Sequence, residues 1–482
     1  MSALGSRLTR TGLGTLVLSL LLNGCSVGPK YKAPTSSLAP FHNAGDNSAS
    51  STAPAHGLDQ WWMGFNDPML ATVVQRALAQ NLDLAAALSR VDQSRAKAAG
   101  AGARLYPIGE FDASATAERQ SLQGNLGSIA GGIPTFRRDI HEYTLGPVAS
   151  WEIDVAGGLR HYAAAARAEA QATEADRMMT RVTVVAEAAD AYLQIRGYQA
   201  RLRVASNQIE TDEHLMHLVE NRYEAGAGTQ REIAQAKALL EQARATVPLL
   251  RLGLERQLNR LDVVEGVQPG TYAHELETVA GIPGIPAIAG QQPTDVLRRR
   301  PDIIAAERRL AASNERIGTA VAEYYPKVSL AAALGLDSIN SGHLFTEEAF
   351  QPAAIAGLRW RLFDFGRVNA EVKQAHGANA EALVTYRAAV LHAAEDVEDA
   401  LSLLVQSEAY GAELEAQVQA LVKVRDLSEQ AYRAGSITLT DVLDADRELL
   451  TAQDELDANR ADTARAAVVV FRAFGGGWEA PS

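Results

Sequence analysis

The sequence predicts an α+β fold made of two tandem copies of one unit, in which long helices are combined with short strands of the membrane-spanning type. Three observations lead to this prediction. Short landmarks recur in the same order along the chain, apolar and polar residues alternate in four segments, and two long helical runs contain no proline.

Composition narrows the class of protein. The 482 residues carry 45 Lys and Arg against 58 Asp and Glu, and a net charge of −13 argues against binding to a nucleic-acid backbone. A single cysteine excludes a disulfide framework. With 47% hydrophobic and 21% charged residues, the chain is too apolar to be disordered. Beyond the amino terminus, no apolar run is long enough to predict a transmembrane helix.

Residues 1–24 have the pattern of a signal peptide, because two arginines precede a short apolar run. The run ends in Leu22-Asn23-Gly24-Cys25, which resembles a bacterial lipobox, so cleavage before Cys25 and its acylation are expected. Ser26 in place of aspartate favours the outer membrane over the inner membrane. The alternative is an ordinary signal peptide with an incidental cysteine. Residues 25–60 are predicted to be an extended, lipid-anchored tether.

Two copies of one unit follow the tether. Tyr106-Pro107 returns 219 residues later as Tyr325-Pro326, and Trp151 returns 209 residues later as Trp360. Two further landmarks agree with these offsets: Asn81-Leu82-Asp83-Leu84 with Arg300-Pro301-Asp302-Ile303, and Tyr223-Glu224-Ala225-Gly226 with Tyr432-Arg433-Ala434-Gly435. The predicted organisation is repeat 1 over 61–265, a linker over 266–294, repeat 2 over 295–474 and a tail over 475–482.

Each repeat contains one predicted pair of strands, at 108–119 and 142–155 in repeat 1 and at 327–337 and 350–363 in repeat 2. Apolar and polar residues alternate along them, and a tryptophan stands near one end, which is typical of membrane-spanning strands. The edge of a soluble β-sandwich would alternate in the same way.

Four strands are too few to close a sheet in lipid. An open sheet would leave the backbone groups of its edge strands without hydrogen-bond partners in the hydrocarbon, and known barrels begin at about eight strands. If the strands span a membrane, several chains must therefore combine them.

Each repeat is also predicted to begin with a helix before its strands and to end in a helical hairpin after them. Each long run ends at Ala-Gly, where glycine suits a left-handed helix stop, and a capping box follows each stop. The first long run has 66 residues, so as one helix it would extend about 99 Å. The predicted helices are 159–224 and 229–262 in repeat 1, and 368–433 and 438–473 in repeat 2.

Taken together, the sequence resembles the TolC-type outer membrane factors, in the lipoprotein branch that serves resistance-nodulation-division efflux pumps. The resemblance covers essentially the whole mature chain. The residues that carry it are Cys25-Ser26-Val27-Gly28-Pro29 with Tyr31, the segment from Trp61 to Pro68, Arg300-Pro301-Asp302-Ile303, Tyr325-Pro326, Phe363-Asp364-Phe365-Gly366-Arg367 and both Tyr-x-Ala-Gly tips.

The resemblance implies a homotrimer whose twelve strands, four from each chain, form one outer-membrane β-barrel continuous with a periplasmic α-helical coiled-coil tunnel. It also implies a function, that of a passive duct exporting small molecules in a tripartite efflux pump. The implied partners are a periplasmic adaptor, an inner-membrane resistance-nodulation-division transporter and outer-membrane lipid. The alternatives are a duct for type I protein secretion and a structural coiled-coil lipoprotein, although the latter would have no use for the alternating strands.

The resemblance assigns the hairpin tips to adaptor docking. The tip residues are Ala225, Gly226 and Ala227 in repeat 1 and Ala434, Gly435 and Ser436 in repeat 2. Simple helix stopping is the alternative explanation for the two glycines.

The resemblance also implies a periplasmic gate. Asp441 and Asp444 match aspartates that line the constriction, so three chains would supply six carboxylates, and Tyr432 with a nearby basic residue would hold the gate shut. Ile437 occupies the position of that basic residue, which leaves Glu232 without the expected cation. The alternative is that both aspartates merely favour a helix amino terminus.

No constellation of catalytic residues is found, so an enzyme is not expected and no cofactor is predicted. Asp364-Phe365-Gly366 matches a kinase magnesium motif as a string, but the other kinase motifs are missing from the sequence. His214 and His217 have a spacing that could chelate a metal, but no third ligand lies near them in sequence, so no metal site is predicted.

Overall fold

The structure is a computed structural model that describes residues 26–34, 39–42, 57–278, 280–287, 296 and 298–479. The predicted signal peptide over 1–24 and the predicted acylation of Cys25 lie outside the described residues. Each helix in the described ranges is either too short or too polar to span a lipid bilayer.

Both repeats contain a helix, two strands, a long helix and a shorter helix in that order, and repeat 1 adds a further helix before its strands and a short helix between them. Repeat 1 contains α1 (Pro68–Gln80), α2 (Leu82–Ala103), β1 (Ile108–Arg119), the short α3 (Asn125–Ala130), β2 (Asp139–Ile153), α4 (Gly158–Glu224) and α5 (Gln230–Val264). Repeat 2 contains α6 (Pro301–Ala322), β3 (Lys327–Ser338), β4 (Phe350–Arg359), α7 (Arg367–Arg433) and α8 (Leu439–Ala473). Short 3-10 helices lie at Leu58–Phe65, Ala273–Leu276, Ser341–His343 and Glu347–Ala349. The predicted α+β class with four strands and two tandem repeats is confirmed.

The four strands form one antiparallel sheet in the order β1-β2-β3-β4. Ile108 lies opposite Ser150 in the first hairpin, and Lys327 lies opposite Arg359 in the second. Between the hairpins, β2 pairs with β3 and sets Trp151 opposite Leu330. One edge each of β1 and β4 is left open in the described part of the chain.

Four strand ends differ from the prediction. β2 ends at Ile153 rather than 155, and β3 ends at Ser338 rather than 337. The other two ends differ by more. β2 begins at Asp139 rather than 142, because its ladder with β1 continues to Arg119, whose guanidinium lies 3.6 Å from the Asp139 carboxylate. β4 ends at Arg359 rather than 363, because Arg359 lies opposite Lys327, the first residue of β3, so residues 360–363 have no β3 partner.

The described chain forms two compact units, and each unit draws on both repeats. One unit comprises the described residues of Met1–Pro34, Asp92–Ala172 and Glu307–Thr385, and it contains the sheet. The other comprises the described residues of Thr35–Val91, Thr173–Ala306 and Tyr386–Ser482, and it contains the hairpin tips and the larger core.

Aromatic and aliphatic side chains fill the core of the second unit. Trp61 stacks on Phe471 with 5.0 Å between the ring centroids and an interplanar angle of 7°. Tyr192 is fully buried and donates its hydroxyl to Asp67 at 2.6 Å, and Asp67 also caps α1 through the N–H groups of Met69 and Leu70. The segment that starts at Trp61 is therefore a structural part of the core.

Candidate functional site at the hairpin tips

The two hairpin tips have the same backbone geometry. Gly226 and Gly435 lie in the left-handed region at φ of 74° and 76°, where a side chain would strain the backbone. In the first tip the N–H of Ala227 donates to the oxygen of Arg222, and in the second the N–H of Ser436 donates to that of Ala431, both at 2.9 Å. These are Schellman turns, so helix stopping accounts for both glycines. The residues 225–227 and 434–436 are exposed and available to a partner.

Two of the predicted gate residues cap the helices that follow the tips. The carboxylate of Glu232 accepts hydrogen bonds from the N–H of Thr229 at 2.6 Å and from its hydroxyl at 3.0 Å. Asp441 occupies the matching position in repeat 2, where it accepts from the N–H and hydroxyl of Thr438 at 2.9 and 2.7 Å. The hydrogen bonds from Thr438 hold the pKa of Asp441 below its ordinary value.

Asp444 lies one turn further along α8. Its side chain is exposed, and its carboxylate pairs with the guanidinium of Arg447 at 3.1 Å. An exposed pair at this spacing stabilises a helix only weakly. Asp444 is therefore less constrained than Asp441 within a single chain.

Tyr432 is buried with 1% of its surface exposed, and it contacts a residue that the sequence did not point to. The guanidinium of Arg222 lies 4.5 Å from the ring centroid of Tyr432 and donates to its backbone oxygen at 2.9 Å. Burial raises the pKa of the Tyr432 hydroxyl, which has no hydrogen-bond partner among the described residues. The cation that contacts Tyr432 thus comes from the end of α4, in the other repeat.

Ile437, which takes the place of the expected basic residue, packs against an apolar cluster below the tips. This tip cluster consists of Leu215, Val219, Ala236, Leu239, Tyr432, Leu439, Val442 and Leu443. Because the cluster joins residues of both hairpins, the two tips share one small core.

Two buried aspartates, Asp212 on α4 and Asp446 on α8, were also missed by the sequence reasoning. The two residues are 1% and 2% exposed, and burial raises the pKa of each to about 6. The amide of Gln208 donates to Asp212 at 2.8 Å, and the charge of Asp446 adds to the rise at Asp212. A signal was present, because Asp212 precedes Leu215 and Val219 at the helical spacing of an apolar face.

The first unit holds a second cluster, next to the predicted lipidation residue. The hydroxyl of Ser26 lies 2.8 Å from Nε2 of His161, and Nδ1 of His161 lies 2.6 Å from the carboxylate of Glu315. The N–H of Val27 donates to the oxygen of Ala156, in the turn between β2 and α4, at 3.1 Å. Serine, histidine and an acid occur in this order in hydrolytic triads, but here the serine belongs to the docked segment that these contacts hold in place.

The histidines considered as metal ligands do not form such a site with their neighbours. His217 lies 3.5 Å from the carboxylate of Glu220, and its side chain is exposed. Among the described residues, no group of three or more His, Cys, Asp or Glu side chains could hold a metal ion.

The chain matches the sequence model of the outer membrane efflux protein family over residues 73–267 and 293–476, one match in each repeat. The pyoverdine export outer membrane protein OpmQ of Pseudomonas aeruginosa is 32% identical over 470 residues, which cover 97% of each chain. The nodulation protein T of Rhizobium leguminosarum bv. trifolii is 28% identical, covering 96% of this chain and 97% of its own.

Solved structures agree with the sequence comparisons. The outer-membrane channel OprN superposes with a TM-score of 0.86 at 31% identity, covering 94% of this chain and all of its own. The CmeC outer membrane channel of Campylobacter jejuni, at 22% identity, shares the fold with the same TM-score and covers 95% of this chain and 96% of its own. Both solved structures are described as outer-membrane channels. The chain therefore belongs to the outer membrane efflux protein family and is an outer-membrane channel with a helical tunnel and a β-barrel.

Proposed function

We propose that three copies of this chain form one passive duct through the outer membrane, which exports small molecules received from an inner-membrane resistance-nodulation-division transporter through a periplasmic adaptor. The observation that carries the proposal is the four-stranded sheet, whose outer strands β1 and β4 each keep one open edge. Such a sheet is stable in lipid only when neighbouring copies pair with both edges.

Small molecules are the proposed cargo because of the relatives' names. OpmQ, at 32% identity, is named for pyoverdine export, and TtgC of Pseudomonas putida, at 29%, is named as the outer membrane protein of a toluene efflux pump. Neither name describes the export of a protein, so the type I secretion alternative is not favoured.

The proposed anchor is an acylated Cys25. Its support is the docking of the segment that directly follows it. Ser26 contacts His161 at 2.8 Å, and Val27 is tied to Ala156 at 3.1 Å. These contacts would hold the acyl chains close to the turn that follows β2, a membrane-spanning strand of the proposed barrel. Two or three acyl chains give firm attachment, whereas one chain gives only reversible binding.

The proposed adaptor-docking surface is the pair of tips, Ala225–Gly226–Ala227 and Ala434–Gly435–Ser436. Its support is that both turns are exposed, have the same backbone geometry and carry small side chains. Small residues allow the helices of a partner to approach the backbone closely.

The proposed periplasmic gate combines Asp441, Asp444, Tyr432 and Glu232. Its support is their position beside the tips and the contact of Arg222 with Tyr432, which links the ends of the two long helices. Three copies would bring the acids of six hairpins around one axis, where like charges repel unless cations balance them.

The experiment that tests the duct has two readouts. Native mass spectrometry of the detergent-purified chain is expected to give a trimer. Deletion of its gene from the host is expected to raise the accumulation of ethidium, and complementation is expected to return it to the parental level. A monomer in mild detergent, or unchanged accumulation with loss of a secreted protein, would contradict the proposal.

A further inference from the structure

The two β-hairpins of the sheet are aligned residue by residue with the sequence repeat. Moving Ile108 forward by 219 gives Lys327, and moving its partner Ser150 forward by 209 gives Arg359. Lys327 and Arg359 are indeed opposite one another in the second hairpin. The offsets measured in the sequence therefore hold for strand register in the structure.

The repeat also relates two different strand pairings. Inside the chain, β2, the second strand of repeat 1, pairs with β3, the first strand of repeat 2. The equivalent strands of the opposite repeats are β4, the second strand of repeat 2, and β1, the first strand of repeat 1. The repeat therefore predicts that β4 pairs with β1. Those two strands are the ends of the sheet and are not paired with each other in the chain. A second copy can supply the missing partner, and this step rests on the trimer of the proposed function.

The same offsets fix the register of the missing pairing. Trp151 lies opposite Leu330 in the pairing of β2 with β3. Moving Trp151 forward by 209 gives Trp360, and moving Leu330 back by 219 gives Phe111. Both aromatic side chains are exposed in the single chain, Trp360 by 53% and Phe111 by 69%.

This register follows from the repeat offsets alone, and it nevertheless separates apolar side chains from polar ones. Over four successive pairs one face of the new pairing would be apolar, as expected for a face toward lipid, and the next pair on that face, Pro352–Arg119, adds a charge at the end of β1. The other face would be mainly polar, as expected for a face toward the lumen. The apolar pairs are Trp360–Phe111, Leu358–Ala113, Ala356–Ala115 and Ala354–Ala117, and the pairs on the other face are Arg361–Glu110, Arg359–Asp112, Gly357–Ser114 and Ile355–Thr116.

Charge complementarity selects this register over its neighbours. Arg359 would face Asp112, and Arg361 would face Glu110, so both arginines meet acids. A slip of two residues keeps the faces but leaves one of the two arginines opposite an uncharged residue. A slip of one residue sets arginines opposite apolar side chains.

The environment of Arg359 inside the chain supports the same partner. Its neighbour across the β3–β4 ladder is Lys327, a like charge that already pairs with Glu323, whereas Asp112 lies opposite Gly146 on β2. Opposite charges across a strand pair stabilise a sheet, and Asp112 would give Arg359 such a partner. Arg361 already pairs with Glu323 at 3.1 Å, so Arg359 is the better probe.

We infer that β4 of one copy pairs antiparallel with β1 of a second copy in the register that sets Arg359 opposite Asp112. Directly opposed residues in an antiparallel pair have Cβ atoms about 4.5–5.5 Å apart, which is close to the reach of a disulfide.

Paired cysteines test the register in the full-length, membrane-embedded chain. The variant R359C/D112C is expected to give a covalent trimer on a non-reducing gel after oxidation with copper phenanthroline, and the trimer should disappear with reductant. Each single variant controls for Cys25. The matched controls are R359C/S114C and R359C/E110C, which represent slips of two residues on the same face.

The outcomes separate the register from the trimer. If native mass spectrometry shows a trimer but a slip pair crosslinks more than R359C/D112C, the register is wrong while the proposed function stands. If no trimer forms in the unmodified chain, the proposed function itself fails.

Charge reversal gives a second measurement that needs no crosslink. R359D and D112R are each expected to lower the temperature at which the trimer dissociates on a semi-native gel, and R359D/D112R is expected to regain most of that loss. A double variant no more stable than the worse single variant would overturn the charge pairing.

Discussion

The guanidinium of Arg222 lies 4.5 Å from the ring centroid of Tyr432 and donates to the Tyr432 backbone oxygen at 2.9 Å. Arg222, near the end of the first long helix, thus contacts both the side chain and the backbone of Tyr432, near the end of the second long helix. A buried cation–π contact contributes about 0.5–2 kcal/mol, and the hydrogen bond adds about 1 kcal/mol.

Arg222→Ala is therefore expected to loosen the two hairpin ends and raise single-channel conductance in planar bilayers, because the proposed gate loses this link. Arg231→Ala removes an equal charge from an exposed position beside the same tip and is the control. Equal conductance of the two variants would remove Arg222 from the gate.

The buried aspartates predict a pH dependence of stability. Asp212 and Asp446 have pKa values of about 6 in the folded chain, against 3.8 for an ordinary aspartate. Since the folded chain favours the protonated form, their stabilising contribution is full below about pH 4 and is lost as the pH rises through about 6. Ionisation at neutral pH costs on the order of 3 kcal/mol for each group.

Asp446→Asn is accordingly expected to raise the melting temperature at pH 7.5 and to change it little at pH 4. Asp444→Asn, on the exposed face of the same helix, is the control and should change neither value much. An effect of Asp446→Asn that is the same at both pH values would show that the carboxyl does not titrate in this range.

The sequence predicted the parts of this fold that depend on periodicity and missed those that depend on distant contacts. Alternation around Trp151 located the strands, and Ala-Gly located the tips. The sequence alone could not reveal the contact of Ser26 with His161, since the two residues are 135 positions apart. Asp212 was missed because a lone aspartate in a charged helix is usually exposed, although it shares the helical spacing of Leu215 and Val219.

Cys25→Ser is expected to abolish incorporation of labelled palmitate and to leave trimer assembly at least partly intact, because the barrel still holds the chain in the membrane. Ser26→Ala is a matched neighbour that removes the contact to His161 and keeps the thiol. It should retain the label. If the unaltered chain takes up no palmitate, the lipidation prediction is wrong.

The docking prediction is tested by adding charge to the tips without touching the glycines. Ala227→Glu with Ser436→Glu is expected to reduce crosslinking to the adaptor and to reduce efflux, because two carboxylates would be desolvated against the partner. All four residues of the proposed gate stay unchanged in this variant. Glu224→Gln, which changes charge just before the first tip, is the control. Crosslinking and efflux at the unmodified level would remove the docking role.

The gate prediction separates Asp441 from Asp444, because the structure gives them different surroundings. Asp441 caps α8 through Thr438, whereas Asp444 contacts only Arg447 in its own helix among the partners observed. If carboxylates ring the constriction, Asp444→Ala should raise single-channel conductance and reduce cation selectivity with little change in melting temperature. Asp441→Ala should also lower the melting temperature, since the capping box is lost.

The double variant of Asp441 and Asp444 is expected to have the largest conductance and the weakest cation selectivity, since three chains would then lose six carboxylates. Asp457→Ala, further along α8, removes a charge that pairs with Arg460 at 3.2 Å and is the control for net charge. A channel whose conductance is unchanged in the double variant, with only its melting temperature lowered, would leave both residues as helix-terminal groups and end the gate hypothesis.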